Sequence, residues 1–267
     1  MSAAYRARSA TELVDGAIQL FRANYAPLLT LGAVFYVPIL VVQWTLVGTL
    51  GPMSTPSQVG AVYERVGVVY PGLIIWTAAW YTVIFTFVSD VYLGRSGDIG
   101  SAITRGLTRF LPTMLATILK TLGVFAACIF FVIPGIILML YWFAALPAAV
   151  LEPVGPLAAL GRSGTLSRGV KWHVLKTYLL AVCLFLAAYV LVLLIGWIIS
   201  LVVHVVSVAG TTRVVTIVIS IGMMFVYPLW PIIQTLLYYD ARIRNEGYDI
   251  ELMAQRVGAT PTPVPAT

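Results

Sequence analysis

The chain has 267 residues, of which 60% are hydrophobic and 10% are charged, and 16 Lys and Arg against 10 Asp and Glu give it a net charge of +6. Soluble proteins carry about a quarter charged residues, so this composition excludes an ordinary soluble domain and indicates a protein that crosses a membrane several times. The connections between the apolar runs are short, which leaves no room for a separate soluble catalytic domain. The basic excess is explained by orientation in a membrane, and we expect no nucleic-acid partner.

Residues 1–25 are predicted to form an N-terminal amphipathic helix on the membrane surface. Ser9 and Glu12 have the spacing of a capping box. The residues that follow separate apolar from polar side chains at helical spacing, and the apolar face holds Leu13, Ala17, Leu20 and Phe21. No short apolar core with a cleavage site accompanies Arg6 and Arg8, so we expect no removable signal peptide.

Two membrane spans are predicted after the first surface helix. Span 1 runs from Ala26 to Leu50, an apolar run long enough to cross a bilayer. The segment from Gly51 to Gly60 is rich in Gly, Pro, Ser and Thr and is predicted to be a solvent-exposed loop. Span 2 runs from Val68 to Leu93. The first unit of the chain therefore consists of a surface helix, a first span and a returning second span.

The stretch from Asp98 to Ile133 begins a second unit with the same order. Asp98 can cap a short helix that has an apolar face and a basic face. The apolar face holds Ile99, Ile103, Gly106, Leu107 and Phe110. The basic face holds Ser101, Arg105, Thr108 and Arg109. A helix of this kind lies along an anionic membrane surface, and Pro112 falls in the first turn of span 3.

Pro134-Gly135 is predicted to turn the chain between spans 3 and 4, because both residues favour turns. Span 4 then runs from Ile136 to Leu151, about 16 residues or about 24 Å, which is short for a bilayer core of about 30 Å. Two explanations stay open. Either the turn dips into the outer leaflet, or Pro147 marks a break and the helix continues past Glu152.

The third unit begins with a surface segment from Pro156 to Arg168. Its apolar face is weaker than the first two and is formed by Leu157, Leu160, Gly161 and Gly164. Span 5 is predicted from Thr177 to Val203, and several basic side chains cluster just before it, namely Arg168, Lys171, His173 and Lys176. At about 27 residues this span exceeds the bilayer and should tilt or protrude.

Span 6 completes the third unit. Gly210 to Arg213 is predicted to turn the chain into this span, which runs from Val214 to Tyr239 and contains Pro228 and Pro231. The helix is expected to continue into water and to end at Gly247, with two opposite-charge pairs at a spacing of four residues, Asp240 with Arg244 and Arg242 with Glu246. Residues 253–267, which alternate Pro with small residues toward their end, are predicted to be a disordered tail.

The distribution of basic residues predicts that both termini are cytoplasmic. In that orientation Arg65 and Arg213 are the only basic residues outside the spans that face the other side of the membrane. We therefore expect a multi-pass protein of the cell (inner) membrane. Its basic cytoplasmic face offers these candidate contacts for anionic lipid headgroups: Arg105, Arg109, Arg168, Lys171, Lys176, Arg242 and Arg244.

A short register supports an internal repeat. Ala17, Tyr25 and Pro27 of the first unit recur at the same separations as Ala102, Phe110 and Pro112 of the second. Together with the repeated order of elements, this register favours three parallel helical hairpins around an axis along the membrane normal. The expected fold is all-α, with six transmembrane helices in a membrane domain over residues 26–252 and two or three short amphipathic surface helices.

Lys120 is the only basic residue well inside a predicted span, about nine residues past Leu111 and about 14 Å deep. An ionisable residue at this depth indicates a functional site, such as a partner for an anionic headgroup or substrate. Two ordinary explanations stay open, since its long stem can snorkel toward the interface or its amine can pair with a polar group of another span. Gln43 and Gln234 also lie in apolar runs, where they either line a polar cavity or hydrogen-bond between helices.

The remaining titratable residues near the membrane predict structural roles. Asp90 and Glu152 are expected to form interfacial ion pairs with Arg95 and Arg162. His204 is expected to be an interfacial polar residue rather than a metal ligand, because the other histidine lies on the opposite side.

Neither a metal site nor a catalytic site is predicted. Cys128 and Cys183 both lie inside apolar runs, which indicates neither a disulfide framework nor a metal cluster. The chain contains no nucleophile-elbow, zinc-protease or glycine-rich phosphate-binding motif. We therefore expect a non-enzymatic protein without a cofactor.

Three patches of sequence resemble one known family. The three runs are QTLLYYDARIRNEGYDIEL at 234–252, TELVDGAIQLFRANYAPLL at 11–29 and ALPAAVLEPVGPLAALGRSGTLSRGVKWHVL at 145–175. They are similar to a membrane domain that is attached to some bacterial glycerophosphoryl diester phosphodiesterases and that also occurs as a stand-alone protein. The middle patch departs from the family pattern at Gly161 and Gly164. The resemblance implies a six-span membrane domain of largely unassigned role. It does not imply phosphodiesterase activity, which resides in a separate soluble barrel domain.

Three functions follow as hypotheses. The leading one is a non-enzymatic membrane protein whose basic cytoplasmic face contacts anionic lipids, as an accessory or lipid-handling module. The alternative is a transporter or flippase for a small amphiphile with a midplane site near Lys120, which requires a cavity reaching that residue. An intramembrane hydrolase would require titratable groups clustered around one cavity. Membrane lipids are the expected partners, and the sequence indicates neither a protein partner nor a second copy.

Overall fold

The computed structural model describes residues 6–49, 56–202 and 208–258, and within these ranges the chain forms twelve α-helices and no strand. The helices are α1 (Ala10–Ala23), α2 (Tyr25–Thr49), α3 (Pro56–Tyr92), α4 (Ile99–Thr108), α5 (Phe110–Phe130), α6 (Val132–Tyr141), α7 (Ala145–Leu151), α8 (Pro156–Leu166), α9 (Lys171–Val202), α10 (Val208–Val226), α11 (Leu229–Glu246) and α12 (Tyr248–Gly258). Six segments are long and apolar enough to cross a membrane: Tyr25–Val42, Pro71–Tyr92, Phe110–Phe130, Val132–Leu151, Lys171–Val202 and Gly210–Glu246. The predicted all-α polytopic fold is confirmed.

Three short helices, α1, α4 and α8, precede the first spans α2, α5 and α9, as the sequence predicts. The capping box of α1 is formed, because the Glu12 N–H donates to the Ser9 hydroxyl at 3.3 Å and the Ser9 N–H donates to the Glu12 carboxylate at 2.7 Å. Asp98 caps α4 by accepting a hydrogen bond of 2.7 Å from the Ser101 N–H. These caps satisfy N–H groups that a helix leaves without intrahelical partners.

The three units pack around one another in a cyclic pattern. Each surface helix contacts the second span of the preceding unit, in the pairs α4 with α3, α8 with α7, and α1 with α11. Each first span also contacts the second span of the preceding unit, in the pairs α5 with α3, α9 with α6, and α2 with α10. Ala17 and Ala102, which the sequence register aligns, are both fully buried. This is the contact pattern that three parallel hairpins around an axis would produce.

The second spans form the centre of the bundle at one of its ends. Each second span has a segment that is buried at every position: residues 80–90 of α3, 143–150 around α7 and 231–241 of α11. The three helices contact one another. Asp90, Glu152 and Asp240 lie where these buried segments end. This end, which also carries α1, α4 and α8, is termed the polar end below. The membrane domain therefore has its tightest packing beside its most polar surface.

The hairpin between α5 and α6 turns at Phe131, not at Pro134-Gly135, so the predicted position of this turn is wrong by three residues. Proline is compatible with the first turn of a helix, and Pro134 is the third residue of α6. A side chain at Gly135 would lie 3.3 Å from the Cα of Cys128, so glycine here lets α6 approach α5 closely. The dipeptide therefore starts a helix rather than ending one.

Span 4 is long enough to cross a bilayer, because α6 and α7 together form a segment of 20 residues, Val132–Leu151. At 1.5 Å per residue this corresponds to about 30 Å. The break in this span lies at residues 142–144, and Pro147 is the third residue of α7. The helix ends at Leu151, so of the two explanations left open the one in which it continues past Glu152 does not hold.

Span 6 is interrupted, and its predicted start is wrong. Gly210 to Arg213 lies inside α10, so these residues do not form the predicted turn. Pro228 separates α10 from α11, because proline lacks the N–H group that a continuous helix needs. Phe35 of α2 stacks on Tyr227 at this break, with ring centroids 5.0 Å apart, and Trp80 donates a hydrogen bond of 3.0 Å to the Leu31 carbonyl. Aromatic packing therefore holds α2 and α3 beside the interruption.

Several other boundaries differ from the sequence prediction. Helix α3 begins at Pro56, inside the segment that was expected to be a loop, and residues 51–55 lie outside the described ranges. Gly247 ends α11 in a left-handed conformation, φ 65°, as predicted, and the chain then forms α12 to Gly258. Within α8, Leu160 and Gly164 of the predicted apolar face are buried, but Leu157 is 71% exposed. The third surface helix thus exists with a different buried face.

Candidate functional site

A cavity of about 520 Å³ lies among the spans, and Lys120 lines it. Helices α3, α5, α6, α7, α9 and α11 all contribute to its wall. Lys120 is the tenth residue after Phe110, at which α5 begins, and so lies about 15 Å along a helix of 21 residues. The candidate site is therefore near the middle of the membrane-spanning bundle.

The positive charge of Lys120 has no negatively charged partner in the cavity wall. No Asp, Glu or His lines the cavity. Within the described ranges, no hydrogen bond or ion pair is formed by the Lys120 amine. An ammonium group in apolar surroundings is stabilised only by a partner or by water, so the cavity favours an anion beside Lys120.

Two further polar groups face the same cavity. Gln234 of α11 and Tyr178 of α9 are each 4% exposed, and both line the wall. The two side chains are neighbours. Even so, neither the Tyr178 hydroxyl nor Gln234 Oε1 has a hydrogen-bond partner of suitable geometry among the described residues. A buried polar atom without a partner costs about 1–3 kcal/mol, so both atoms are available to a ligand.

An apolar groove of about 310 Å³ adjoins the cavity between α3 and α5. The groove and the cavity share Thr77, Thr117 and Thr121 in their walls. The hydroxyls of Thr77 and Thr117 donate to the carbonyls of their own helices, Leu73 and Thr113, both at 2.7 Å. The remaining wall is formed by Leu73, Ile74, Ile118 and Leu122. The groove is therefore apolar and adjoins the Lys120 cavity along these threonines.

Carboxylates at the polar end bind the surface helices. Arg105 of α4 donates from both Nη atoms to the two carboxylate oxygens of Asp90, which is 2% exposed. Arg162 of α8 donates from Nε to Glu152 at 2.8 Å. The Arg8 N–H, just before α1, donates to Asp240 Oδ1 at 2.7 Å. Each second span thus ends at a carboxylate that holds the next surface helix around the cycle.

Arg162 also joins α8 to the end of α11. Its two Nη atoms donate to the two carboxylate oxygens of Glu246. The hydrogen bond to Glu246, and after it the bond to Glu152, raises the pKa of the Arg162 guanidinium further above its ordinary value, although burial acts in the opposite direction. The predicted pair of Arg162 with Glu152 is confirmed. The predicted pair of Arg95 with Asp90 is a longer contact of 3.7 Å, because Arg105 takes both carboxylate oxygens.

Four of the seven predicted lipid-contact residues have protein partners. Besides Arg105, Arg109 donates to the carbonyls that end α7, at Ala149, Glu152 and Val154. Arg242 pairs with Glu246 at 3.1 Å and Arg244 pairs with Asp240 at 2.6 Å, as the spacing predicts. These guanidinium groups hold the polar end together.

The other three basic residues lie at the start of α9 and are exposed. Lys171 stands over the Tyr141 ring, 5.6 Å from its centroid. In the described part of the chain, Arg168 and Lys176 form no ion pair. Trp172 between them is 76% exposed, which is typical of an aromatic side chain at a membrane interface.

A smaller polar cavity of about 270 Å³ lies at the polar end between α3 and α11. Arg95, Arg105 and Arg242 line it together with Asp90. Arg105 is bound by Asp90 and Arg242 by Glu246, and the charge of Arg95, whose side chain is 64% exposed, is largely hydrated. This cavity is therefore a weaker candidate than the one beside Lys120.

The sequence analysis identified Lys120 and Gln234 and missed the two tyrosines of the wall, Tyr81 and Tyr178. A tyrosine in an apolar run is an ordinary interfacial residue, and no pattern distinguishes one that faces a cavity. The side chain of Gln43 lies outside the described residues, as does His204 altogether. Among the described residues, no group of three His, Cys, Asp or Glu could hold a metal ion, and Cys128 and Cys183 are free thiols.

Comparison of the chain with protein-family models, with curated proteins and with solved structures gives no match. The fold and the site together define a class, a six-span helical membrane protein with a cationic cavity. The resemblance to the membrane domain of the glycerophosphoryl diester phosphodiesterases stays a prediction.

Proposed function

We propose that the protein binds a small anionic amphiphile inside the membrane, with the anionic group beside Lys120, as a transporter or flippase does. The observation that carries this proposal is the cavity of about 520 Å³ that Lys120 lines and that contains no carboxylate in its wall. Lys120 is half-buried, and a charged group that lies within a membrane span without a partner is costly, so its retention is best explained by a ligand of opposite charge.

The break in span 6 supports movement of the ligand as well as binding. Trp230 and Gln234 of α11 line the cavity within two turns of Pro228, at which the helix is interrupted. Interrupted helices are common at the midplane sites of transporters, because they can change direction at the break. The proposed role is non-enzymatic, since the cavity wall supplies no carboxylate or histidine for acid–base chemistry.

The proposal is tested with the purified full chain in nanodiscs of neutral phosphatidylcholine. A fatty acid and its methyl ester are added at equal concentration, and the bound fraction of each is measured by native mass spectrometry. We expect the fatty acid to bind at least tenfold more tightly than the ester, about 1.4 kcal/mol, because charge attraction is stronger in apolar surroundings than at the surface.

Lys120→Met should remove this preference, and Arg22→Met is the control because Arg22 is an exposed cationic residue outside both the cavity and the basic cluster of α9. Lys120→Arg should retain it, since the positive charge remains. Equal binding of acid and ester to the original protein, or an unchanged preference in Lys120→Met, would overturn the proposal.

The exposed cluster at the start of α9 supports a second function, contact with anionic headgroups at the membrane surface. Arg168 and Lys176 lie beside Trp172, which is 76% exposed. Each such basic residue contributes about 1 kcal/mol near an anionic surface. Replacing both with Gln should lower the amount of phosphatidylglycerol that copurifies with the protein, and unchanged copurification would contradict this role.

We further propose that the polar end faces the cytoplasm and that the membrane is the inner membrane, because the basic residues concentrate at that end. Single cysteines at Ser96 and Gly60, both exposed, test this in a variant with Cys128 and Cys183 replaced by Ser. An impermeant thiol reagent added to intact cells should label the cysteine at position 60 and not that at position 96. The reverse labelling would invert the topology.

A further inference from the structure

We infer that the cavity and the adjoining groove form one bipartite site for an acylated anion, with the headgroup beside Lys120 and one acyl chain between α3 and α5. This inference rests on the proposed function and adds the chemical class of the ligand. Its basis is that a cavity holding Lys120, Tyr178 and Gln234 shares the wall residues Thr77, Thr117 and Thr121 with a groove that contains no charged residue.

The polar part of the site has the chemistry of a headgroup pocket. Lys120 offers a positive charge, the Tyr178 hydroxyl offers one donor, and Gln234 Oε1 offers an acceptor. An anion alone satisfies the first two and leaves the acceptor without a partner. A headgroup that carries an O–H or N–H beside its anionic group satisfies all three.

The apolar part of the site has the chemistry of a chain-binding groove. Leu73, Ile118 and Leu122 line it, and Leu122 is 60% exposed at its margin. Ile74 is 39% exposed on the facing helix. Because these side chains face the surrounding lipid, an amphiphile can enter sideways from the bilayer without passing its chain through water.

The geometry also explains why the groove lies where it does. Lys120 belongs to α5, and Ile118 and Leu122 are two residues before and after it on the same helix. Since Thr117 and Thr121 face both spaces, the headgroup and the first part of the chain can contact neighbouring turns of α5. Ile118 and Leu122 lie on a different face of α5 from Lys120, so a chain attached to an anion at Lys120 reaches the groove by passing over Thr117 and Thr121, which lie between the two faces.

The inference is tested by photocrosslinking of the full chain in phosphatidylcholine nanodiscs. The probe is a palmitate analogue with a mid-chain diazirine, and its methyl ester is the matched neutral probe. Labelled peptides are mapped by mass spectrometry. We expect the palmitate probe to favour the groove residues of α3 and α5 over the lipid-facing surface of α9, at Leu186 and Leu191, by about fivefold, which corresponds to about 1 kcal/mol. The ester should show no such preference.

Two variants separate the inference from the proposed function. Ile118→Trp fills the groove and should abolish its labelling while leaving the anion preference of the Lys120 cavity in place. Lys120→Met should reduce groove labelling by palmitate to the level of the ester. If palmitate binds in a Lys120-dependent manner but labels α9 as often as the groove, the inference fails and the proposed function stands. If Lys120→Met changes neither binding nor labelling, both fail.

Discussion

The backbone N–H of Arg8 donates a hydrogen bond of 2.7 Å to Oδ1 of Asp240, although 232 positions separate the two residues in the chain. The same carboxylate accepts from Arg244 Nε at 2.6 Å, and the Arg244 Nη2 donates to the Arg8 carbonyl at 2.6 Å. The residue before α1 is thus bound at both its backbone groups to the end of α11. This contact closes the cyclic arrangement of the three units.

Asp240→Ala should therefore release the segment before α1. The change leaves the Arg8 N–H without its acceptor and Arg244 without its ion pair, so we expect a loss of about 1–3 kcal/mol in the free energy of unfolding. Faster cleavage of the folded protein by trypsin at Arg8 is the direct measurement. Asp15→Ala is the control, because Asp15 is exposed and accepts a hydrogen bond only from the Gln19 side chain of its own helix. Equal protection of Arg8 in both variants would contradict the role of Asp240.

Arg105→Met should destabilise the protein much more than Arg95→Met. Asp90 is 2% exposed and loses its bidentate partner in the first variant, while Arg95 contributes only a contact of 3.7 Å. Removing one partner of a buried charge pair costs about 2–5 kcal/mol, and we expect the lower end because the Arg105 side chain is 49% exposed. Thermal unfolding in detergent measures the difference. Similar unfolding temperatures for the two variants would show that Arg105 is not structural.

Gly106→Ala should separate α4 from α3. A methyl group at Gly106 would lie 2.7 Å from the carbonyl oxygen of Thr82, and backbone atoms cannot move aside as a flexible side chain can. We expect a loss of about 1–3 kcal/mol, which is typical of overpacking. Gly161→Ala is the matched control on α8, where nothing lies within 4 Å and the higher helix propensity of Ala should add about 1 kcal/mol of stability. Unfolding temperatures that move in the same direction would argue against close packing at Gly106.

Gln234→Met should stabilise the ligand-free protein and weaken ligand binding. The variant removes an amide oxygen that is buried without a partner while nearly preserving side-chain volume, so the unfolding free energy should rise by about 1 kcal/mol. Binding of an anion that carries an O–H group should weaken because its donor loses the acceptor. Gln19→Met, an exposed change on α1 that removes only the hydrogen bond to Asp15, should lower stability by about 0.5 kcal/mol or less and leave binding unchanged. A loss of stability in Gln234→Met would indicate that the amide has a structural partner.

The local features of the fold were predictable because they depend on neighbouring residues. Spacings of a few residues predict the helix caps at Ser9 and Asp98 and the helix end at Gly247. They also predict the ion pairs of Asp240 with Arg244 and of Arg242 with Glu246. The six spans follow from length and hydropathy alone. Such local sequence signals do not depend on how the helices pack against one another.

The misplaced turns depended on contacts between helices. Pro134-Gly135 has the composition of a turn, but the close approach of Gly135 to Cys128 selects it as the start of α6. The break at residues 142–144 carries neither Gly nor Pro, so no local signal marks it. Tertiary packing decided both boundaries.

The candidate site was predictable only in part for the same reason. Lys120 and Gln234 stand out as polar residues in apolar runs, and both line the cavity. Arg105 and Arg109 stand out as a basic helix face, but their partners Asp90 and Ala149 come from other elements. A pattern of charges shows where arginines lie, and only the assembled bundle shows what they bind.

The bond between Arg8 and Asp240 also brings the start of α1 beside the end of α11, the last span of the bundle. A circularly permuted gene that opens the chain near Gly97 and joins position 258 to position 6 through a flexible linker would keep every helix and every carboxylate contact of the polar end. The order of the three units along the chain could then differ from their order around the bundle. Any of the three units could be translated first.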